Sequence, residues 1–294
     1  IITHAEAYFS GRNILLVSFA RSGNSPESVG TVNLANRLCK QVAHVFITCN
    51  ADGALARMAA GSSNTLLLLL PPRTNDLSLA MTSSFSTMCM ACLMLFDIEH
   101  LDSVRPQLEA AAANARHILD HYSNALEALV GRAYDRAVFL GSGPLCGIAE
   151  ECHLKQQELT DGAVICKFDS FLAFRHGPKA VVKPSSVLVY LVSDREEVQR
   201  YERDLIRQIN ANNHVTAQVA VMMGEGMNLP GIDFDISIVM PNSLDATGAY
   251  GYIPYVLVGQ LMGLYKSVAM GLDPDAPSIS GNIARVVEGV TIYE

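Results

Sequence analysis

Ile14-Leu15-Leu16-Val17-Ser18-Phe19-Ala20-Arg21-Ser22-Gly23-Asn24-Ser25-Pro26-Glu27-Ser28 is the stretch that decides the fold. Ile14 to Phe19 is an apolar run of the kind that forms a parallel strand covered on both faces. A polar turn ends it. Pro26 then opens a helix at the position where its missing N–H costs no hydrogen bond. Strand, glycine-containing turn and helix in that order form the repeating unit of an α/β protein.

Outward from this unit the alternation continues. A helix to about Lys40, a strand over Val42 to Thr48, a short helix near Ala54 to Ala60, a strand over Thr65 to Leu70 and an apolar helix over Leu79 to Phe96 are expected. Asp102 to Val130 is charged, alanine-rich and helical in period. A second cycle follows: strand Arg136 to Leu140, helix Pro144 to Leu159, strands Ala163 to Phe168 and Ser186 to Val192, helix Arg195 to Asn210, and an extended Val215 to Val221. The expected architecture is two doubly wound, parallel-sheet domains, each flavodoxin-like and three-layered (α/β/α). They occupy residues 1–101 and 132–294, with 102–131 as a connecting helix. The chain starts without Met and runs almost at once into a strand, so the first domain reads as short of its N-terminal part.

The 294 residues carry a formal net charge of −8, which argues against nucleic acid or an anionic membrane as partner, since both are met by basic surfaces. The seven cysteines are scattered and odd in number, as in a reducing compartment, and a cytoplasmic location is expected. The uncharged stretch from Ala246 to Tyr265 carries four glycines, Pro254 and Gln260, and reads as a buried or interface helix instead of a membrane span.

Two regions carry chemistry. In the first, Gly23 lets the backbone come close to a ligand, and Ser22 and Ser25 set hydroxyls beside the free N–H groups of a helix start, which makes an anion site. The G-x-G-x-x-G and Gly-Lys-Ser/Thr patterns are absent, so a monophosphate fits better than a dinucleotide or a nucleoside triphosphate. A plain Ser25 cap explains Ser25 but leaves Arg21, Ser22 and Gly23 unexplained. The corresponding turn of the second half, Val192-Ser193-Asp194-Arg195-Glu196, lacks the glycine and has acids that would repel phosphate.

The second region begins after the turn Gly141-Ser142-Gly143. Glu151, Lys155 and Glu158 fall at i, i+4 and i+7 and share one helix face, and His176 follows in the loop Phe174-Arg175-His176-Gly177-Pro178-Lys179. Such spacing is usually a solvated ion-pair face, worth roughly 0.2–0.5 kcal/mol per pair. The glycine turn before it and the His-Gly-Pro loop after it favour an acid–base site. His44, His117, His121, His153 and His214 read as packing or surface residues, and Cys89 and Cys92 as small core side chains.

These motifs together, with Met81-Thr82-Ser83-Ser84 and the tail Asn282-Ile283-Ala284-Arg285-Val286-Val287-Glu288-Gly289-Val290-Thr291-Ile292-Tyr293, resemble the tandem sugar isomerase (SIS) domain family. The resemblance is strongest to the tagatose-6-phosphate ketose/aldose isomerase group, whose members act as galactosamine-6-phosphate deaminase/isomerases. It is weaker to the isomerase half of glucosamine-6-phosphate synthase. The resemblance implies that Ser22 and Ser25 bind phosphate with Arg21 and Asn24 beside them, and that Thr82 contacts the sugar. It implies that Glu158 moves protons between C1 and C2 and that His176 opens the ring, in relatives from the neighbouring subunit of an oligomer. Lys155 is expected to stabilise an oxyanion or pair with Glu151, and Ser142, Glu151 and Arg285 are expected to bind the substrate. Arg285 stands where the synthase branch has an imine-forming lysine; a guanidinium stays protonated and cannot take that role. The implied partners are a phosphosugar and a second copy of the chain in a homodimer or larger assembly. No cofactor and no metal are called for. The expected reaction converts galactosamine 6-phosphate to tagatose 6-phosphate and ammonia. Aldose–ketose isomerisation of another 6-phosphosugar and non-catalytic phosphosugar sensing are the alternatives.

Overall fold

A computed structural model describes residues 1–212, 214–224, 230–286 and 289–293; Val287 and Glu288 of the tail motif lie outside the described residues. The chain forms two compact units, Ile1–Leu95 with Asn282–Glu294, and Phe96–Gly281. These units cut the chain differently from the expected domains. The helix expected to connect the halves belongs to the second unit, and the tail returns to the first, where hydrogen bonds described below hold it.

The first unit contains α1 (Ala5–Phe9), β1 (Asn13–Ala20), α2 (Pro26–Leu38), β2 (Gln41–Thr48), α3 (Ala54–Ala59), β3 (Thr65–Leu69) and α4 (Ser83–Phe96). Its sheet is parallel in the order β1-β2-β3, with Val17 beside Val45 and Val45 beside Leu66. The expectation of a doubly wound sheet meets here a sheet that winds one way among the described strands. Right-handed crossovers place successive helices on one face of such a sheet. Leu34 and Ala35 of α2 pack with Ala5 and Phe9 of α1, and Val32 packs with Phe46 and Leu55. Met88 of α4 packs with Val45, Ile47, Cys49 and Leu70. In register terms Phe46 and Val45 point to opposite faces, so helices cover both.

Two expectations need correction here. The chain does not open directly on a strand, because α1 precedes β1 and is held by apolar contacts to α2. The apolar helix expected from Leu79 begins at Ser83, since residues before it loop around the carboxylate of Asp76.

The second unit contains α5 (Leu101–Val130), β4 (Arg136–Gly141), α6 (Pro144–Leu159), β5 (Ile165–Asp169), α7 (Phe171–Phe174), β6 (Ser186–Leu191), α8 (Glu196–Asn212), β7 (Ala217–Met223), β8 (Ile236–Met240), α9 (Leu244–Thr247) and α10 (Val256–Ala269). The five strands are parallel in the order β5-β4-β6-β7-β8, the doubly wound flavodoxin-like arrangement. Its strand order reverses between β4 and β6, and ligand crevices of open α/β sheets lie beyond the carboxyl ends of strands at such a point. The uncharged stretch becomes a 3₁₀ segment, Gly248–Tyr255, followed by α10. Strand β8 was not expected from sequence.

Glycines set the packing around α6. A Cβ at Gly141 would run into the Leu145 backbone, so only glycine permits the tight turn from β4 into the helix. On α10, a Cβ at Gly259 would lie 2.5 Å from Cys152 Cα, and one at Gly263 would lie 2.9 Å from the Lys155 carbonyl oxygen. The Gly-x-x-x-Gly face of α10 therefore seats α6 at backbone contact distance, against Cys152 and the Lys155 carbonyl.

Candidate active site

The anion turn of the first unit follows β1 as expected. Ser25 is the N-cap of α2: its hydroxyl accepts the Ser28 N–H at 3.3 Å and donates to Ser28 Oγ at 2.7 Å. Ser22 Oγ accepts the Asn24 N–H at 3.3 Å, and a hydroxyl that accepts one N–H still has a proton to give a ligand. Gly23 has φ +66°, which L side chains rarely adopt, and an added Cβ would lie 3.3 Å from Thr48 Oγ1. Asn24, beside these serines, caps α3 through its side-chain oxygen, which accepts the Ala54 N–H at 2.9 Å. Asn50 Nδ2 donates to the Ser22 carbonyl at 2.9 Å and braces the turn from below.

Arg21, expected beside the phosphate-binding serines, follows directly after β1. It is 8% exposed, and its guanidinium donates to three backbone carbonyls: Ser78 and Leu79 at 3.0 Å each and Arg285 at 3.0 Å. Arg285 in turn donates to Asn75 Oδ1 at 3.2 Å and to the Asp76 carbonyl. Thr82 gives both its N–H and its hydroxyl to Asp76, at 2.9 and 2.8 Å. Ser83 and Ser84 do the same, so this carboxylate accepts three N–H and three hydroxyl bonds at the start of α4. Burial pushes the Asp76 carboxyl up, but the bonds from Ser84, Ser83 and Thr82 outweigh it and hold it well below the usual carboxylate range.

In the second unit, α6 brings three expected residues together. Lys155 is 2% exposed, with Nζ 2.8 Å from Glu158 Oε2 and 3.3 Å from Glu151 Oε1. Burial pushes the Glu151 carboxyl up, against the pull of Lys155. A nearly buried ammonium held between two carboxylates fixes both acids without neutralising the pair, and Glu158 keeps a quarter of its side chain open to solvent. His176 is exposed and caps the 3₁₀ turn Gly177–Val181 after α7. Among the described residues no hydrogen bond joins its ring to the α6 triad.

Ser142 is not brought to that triad. It precedes the helix, and a rise of 1.5 Å per residue puts Glu158 about 21 Å further along the axis. It neighbours Glu202 of α8 instead, whose Oε2 accepts the Ser193 N–H at 3.1 Å while its buried Oε1 has no hydrogen-bond partner among the described residues. Glu202 is fully buried, and burial pushes its carboxyl up to about 7. The sequence reading missed this residue, although Gln199, Glu202, Leu205, Ile206 and Ile209 recur at helical spacing as the buried stripe of α8. It missed Asp76 too; the signal there was the Thr-Ser-Ser run leading into an apolar helix.

His117 and His121 have the His-x-x-x-His spacing, and their rings stack at 4.3 Å on α5. Among the described residues, no three His, Cys, Asp or Glu side chains are grouped to hold a metal ion. No helix among them is long and apolar enough to cross a membrane.

Comparison with known proteins gives a consistent set of relatives. No family model matches the chain. It is 38% identical over 298 residues to the D-galactosamine-6-phosphate deaminase AgaS of Escherichia coli, covering 100% of this chain and 76% of the relative. It is 35% identical over 301 residues to the D-galactosamine-6-phosphate deaminase AgaS of Shewanella sp. (strain ANA-3), covering 100% of this chain and 71% of the relative. Among solved structures, the tagatose-6-phosphate ketose/aldose isomerase of Escherichia coli superposes with a TM-score of 0.88 at 34% identity, covering 100% of this chain and 75% of that one.

Proposed function

The chain belongs to the D-galactosamine-6-phosphate deaminase AgaS family, and from that premise we propose that it converts galactosamine 6-phosphate to tagatose 6-phosphate and ammonia. The observation that carries the reading is the α6 triad, in which Lys155 holds Glu158 at 2.8 Å in a fixed, partly open position. A 1,2-proton transfer needs one carboxylate that faces two adjacent carbons, and a fixed carboxylate meets that need.

In the proposed sequence, the Ser22–Ser25 turn anchors the phosphate. His176 passes a proton from the anomeric hydroxyl to the ring oxygen, opening the sugar to the aldehyde. Glu158 then takes the C2 proton and leaves an enolamine. Returning the proton to C1 gives a C2 ketimine, and water hydrolyses this to the ketose and ammonia. Lys155 supplies positive charge beside the carboxylate that shuttles the proton. Thr82 holds the sugar only as an acceptor, its own proton being given to Asp76. His176 acts in the site of a second copy, a role that its exposed loop supports, and the enzyme works in the cytoplasm as a homo-oligomer.

Galactosamine 6-phosphate supplied to the purified protein should yield ketose and ammonia in equal amounts. Absence of ammonia would sink the deaminase reading. Ketose formed from a 6-phosphosugar that has no amino group would support the second reading, simple ketose/aldose isomerisation, which the name of the 34% identical structure favours. Mixing Glu158→Gln and His176→Asn protomers tests the shared site: recovery of activity is expected, and no recovery would place both residues in one subunit's pocket.

A further inference from the structure

A guanidinium at the end of β1, inside an anion turn, would ordinarily be assigned to the anion. The geometry of Arg21 points elsewhere. It is buried, and it donates to carbonyls from two segments, Ser78–Leu79 and Arg285, which lie 57, 58 and 264 residues away in sequence. Burying a guanidinium is costly unless its N–H groups are matched, and here three matched acceptors come from backbone that has no regular structure of its own.

These bonds close a ring within the first unit. The Arg21 side chain holds the Arg285 carbonyl, while the Arg285 side chain holds Asn75 and the Asp76 carbonyl. The Asp76 carboxylate holds Thr82, Ser83 and Ser84, and the carbonyls of Ser78 and Leu79, between these groups in sequence, come back to Arg21. The anion turn, the Asp76 loop and the tail are thus one hydrogen-bonded body with Arg21 at its centre. Lysine carries the same charge but has no planar fork able to serve two separate strands of carbonyls at once.

We propose that Arg21 is a positioning residue that locks the Asp76–Thr82 loop and the tail around Arg285 against the phosphosugar's anion turn, and that it does not itself bind the phosphate. The proposal rests on reading Ser22–Ser25 as the phosphate site. It would give the sugar, more than its phosphate, as the part of the substrate whose binding depends on Arg21, since Thr82 is carried by the loop that Arg21 fixes.

The test uses Arg21→Lys and Arg21→Ala in the full chain, with circular dichroism to check folding. Three readouts follow: inorganic phosphate binding by calorimetry, the rate of tryptic cleavage after Arg285, and KM against kcat for galactosamine 6-phosphate. Phosphate binding is expected to stay within about twofold of the parent. Tail cleavage and KM should each rise roughly tenfold, the worth of one charge-assisted hydrogen bond, in both variants. If the alanine variant fails to fold, the lysine variant alone decides. Two results overturn the proposal: an unchanged cleavage rate, or a loss of phosphate binding in the alanine variant that lysine restores, which would make Arg21 a direct anion ligand. Cleavage and phosphate binding are read without turnover, so a parent protein with no deaminase activity would remove the functional reading and leave this test standing.

Discussion

The two sheets end in turns filled in opposite ways. After β1, Gly23 and the Ser22 hydroxyl, which accepts the Asn24 N–H, form a turn at a helix start of the kind suited to an outside anion, while the Ser25 hydroxyl is given to Ser28 Oγ. After β6, the corresponding N–H is already used: that of Ser193 goes to the buried carboxylate of Glu202 at 3.1 Å. Each unit also holds a partly or fully buried acid, with opposite consequences. Asp76 receives six hydrogen bonds and is held charged, whereas Glu202 is short of donors and is pushed toward its neutral form. One topology therefore ends in a glycine–serine turn at a helix start in the first unit and in a turn bonded to a buried acid in the second.

If that division is right, removing the proton carrier should leave anion binding alone. Glu158→Gln is expected to lower kcat by on the order of 10²–10⁴-fold, the usual worth of a general base. The affinity for inorganic phosphate should stay as it was. Calorimetry and a coupled ammonia assay on the same protein check both halves, and a variant that turns over normally, or loses phosphate as well, breaks the comparison.

Glu202 gives the next largest effect, on stability. Its folded pKa of about 7 lies above the unfolded value of roughly 4.3. Between those values the folded state keeps a proton that the unfolded state has lost, so stability falls as pH rises through the window. Glu202→Gln removes the titration and keeps an acceptor for Ser193. The variant should match the parent near pH 4 and exceed it at pH 8 by roughly 3 kcal/mol in urea unfolding. Equal pH slopes for the two proteins would show that Glu202 is not held near neutral.

How much of this could be read from the chain alone varied with the range of the contacts. Buried parallel strands announce themselves as apolar runs with glycine or proline punctuation, so β1 to β3 and the helix Pro144–Leu159 were legible. Strand β8 carries Ser237 near its start and follows Asp233 and Asp235, so no continuous apolar run marks it, whereas helix α1 has five residues, too few for a helical period, and depends on α2 for its burial. The i, i+4, i+7 spacing of Glu151, Lys155 and Glu158 was visible, but the close seating of α10 on their helix through Gly259 and Gly263, and the burial of Lys155 to 2% exposure, were not. The partners of Arg21 were hidden for the same reason. A local reading sees a cation beside serines, and the carbonyls of Ser78, Leu79 and Arg285 that claim it are distant in sequence.

Gly23 should show a smaller effect, confined to the first unit. Gly23→Ala forces a residue with a Cβ into φ +66°, at a cost of roughly 1–2 kcal/mol, and brings that Cβ to 3.3 Å from Thr48 Oγ1. The turn would relax toward a conformation with fewer N–H groups facing the ligand, weakening phosphate binding by about tenfold. Unaltered phosphate affinity would move the anion site away from this turn.

The smallest effect sharpens the contrast between the two acids. Asp76→Asn keeps one acceptor oxygen but gives up the charge that three N–H and three hydroxyl groups converge on, and should cost about 1–2 kcal/mol at pH 7. The folded pKa of Asp76 is depressed, so its contribution is fully present above the unfolded value of roughly 3.9 and is lost as pH falls from there toward the folded value. Thermal unfolding should therefore separate parent and variant by a constant amount between pH 5 and pH 8, with the gap closing below about pH 4. The sign is opposite to that of Glu202, whose variant gains on the parent as pH rises. A gap that persists undiminished at pH 3 would mean that Asp76 supports its loop by shape alone, and the electrostatic difference between the two units would then rest on Glu202.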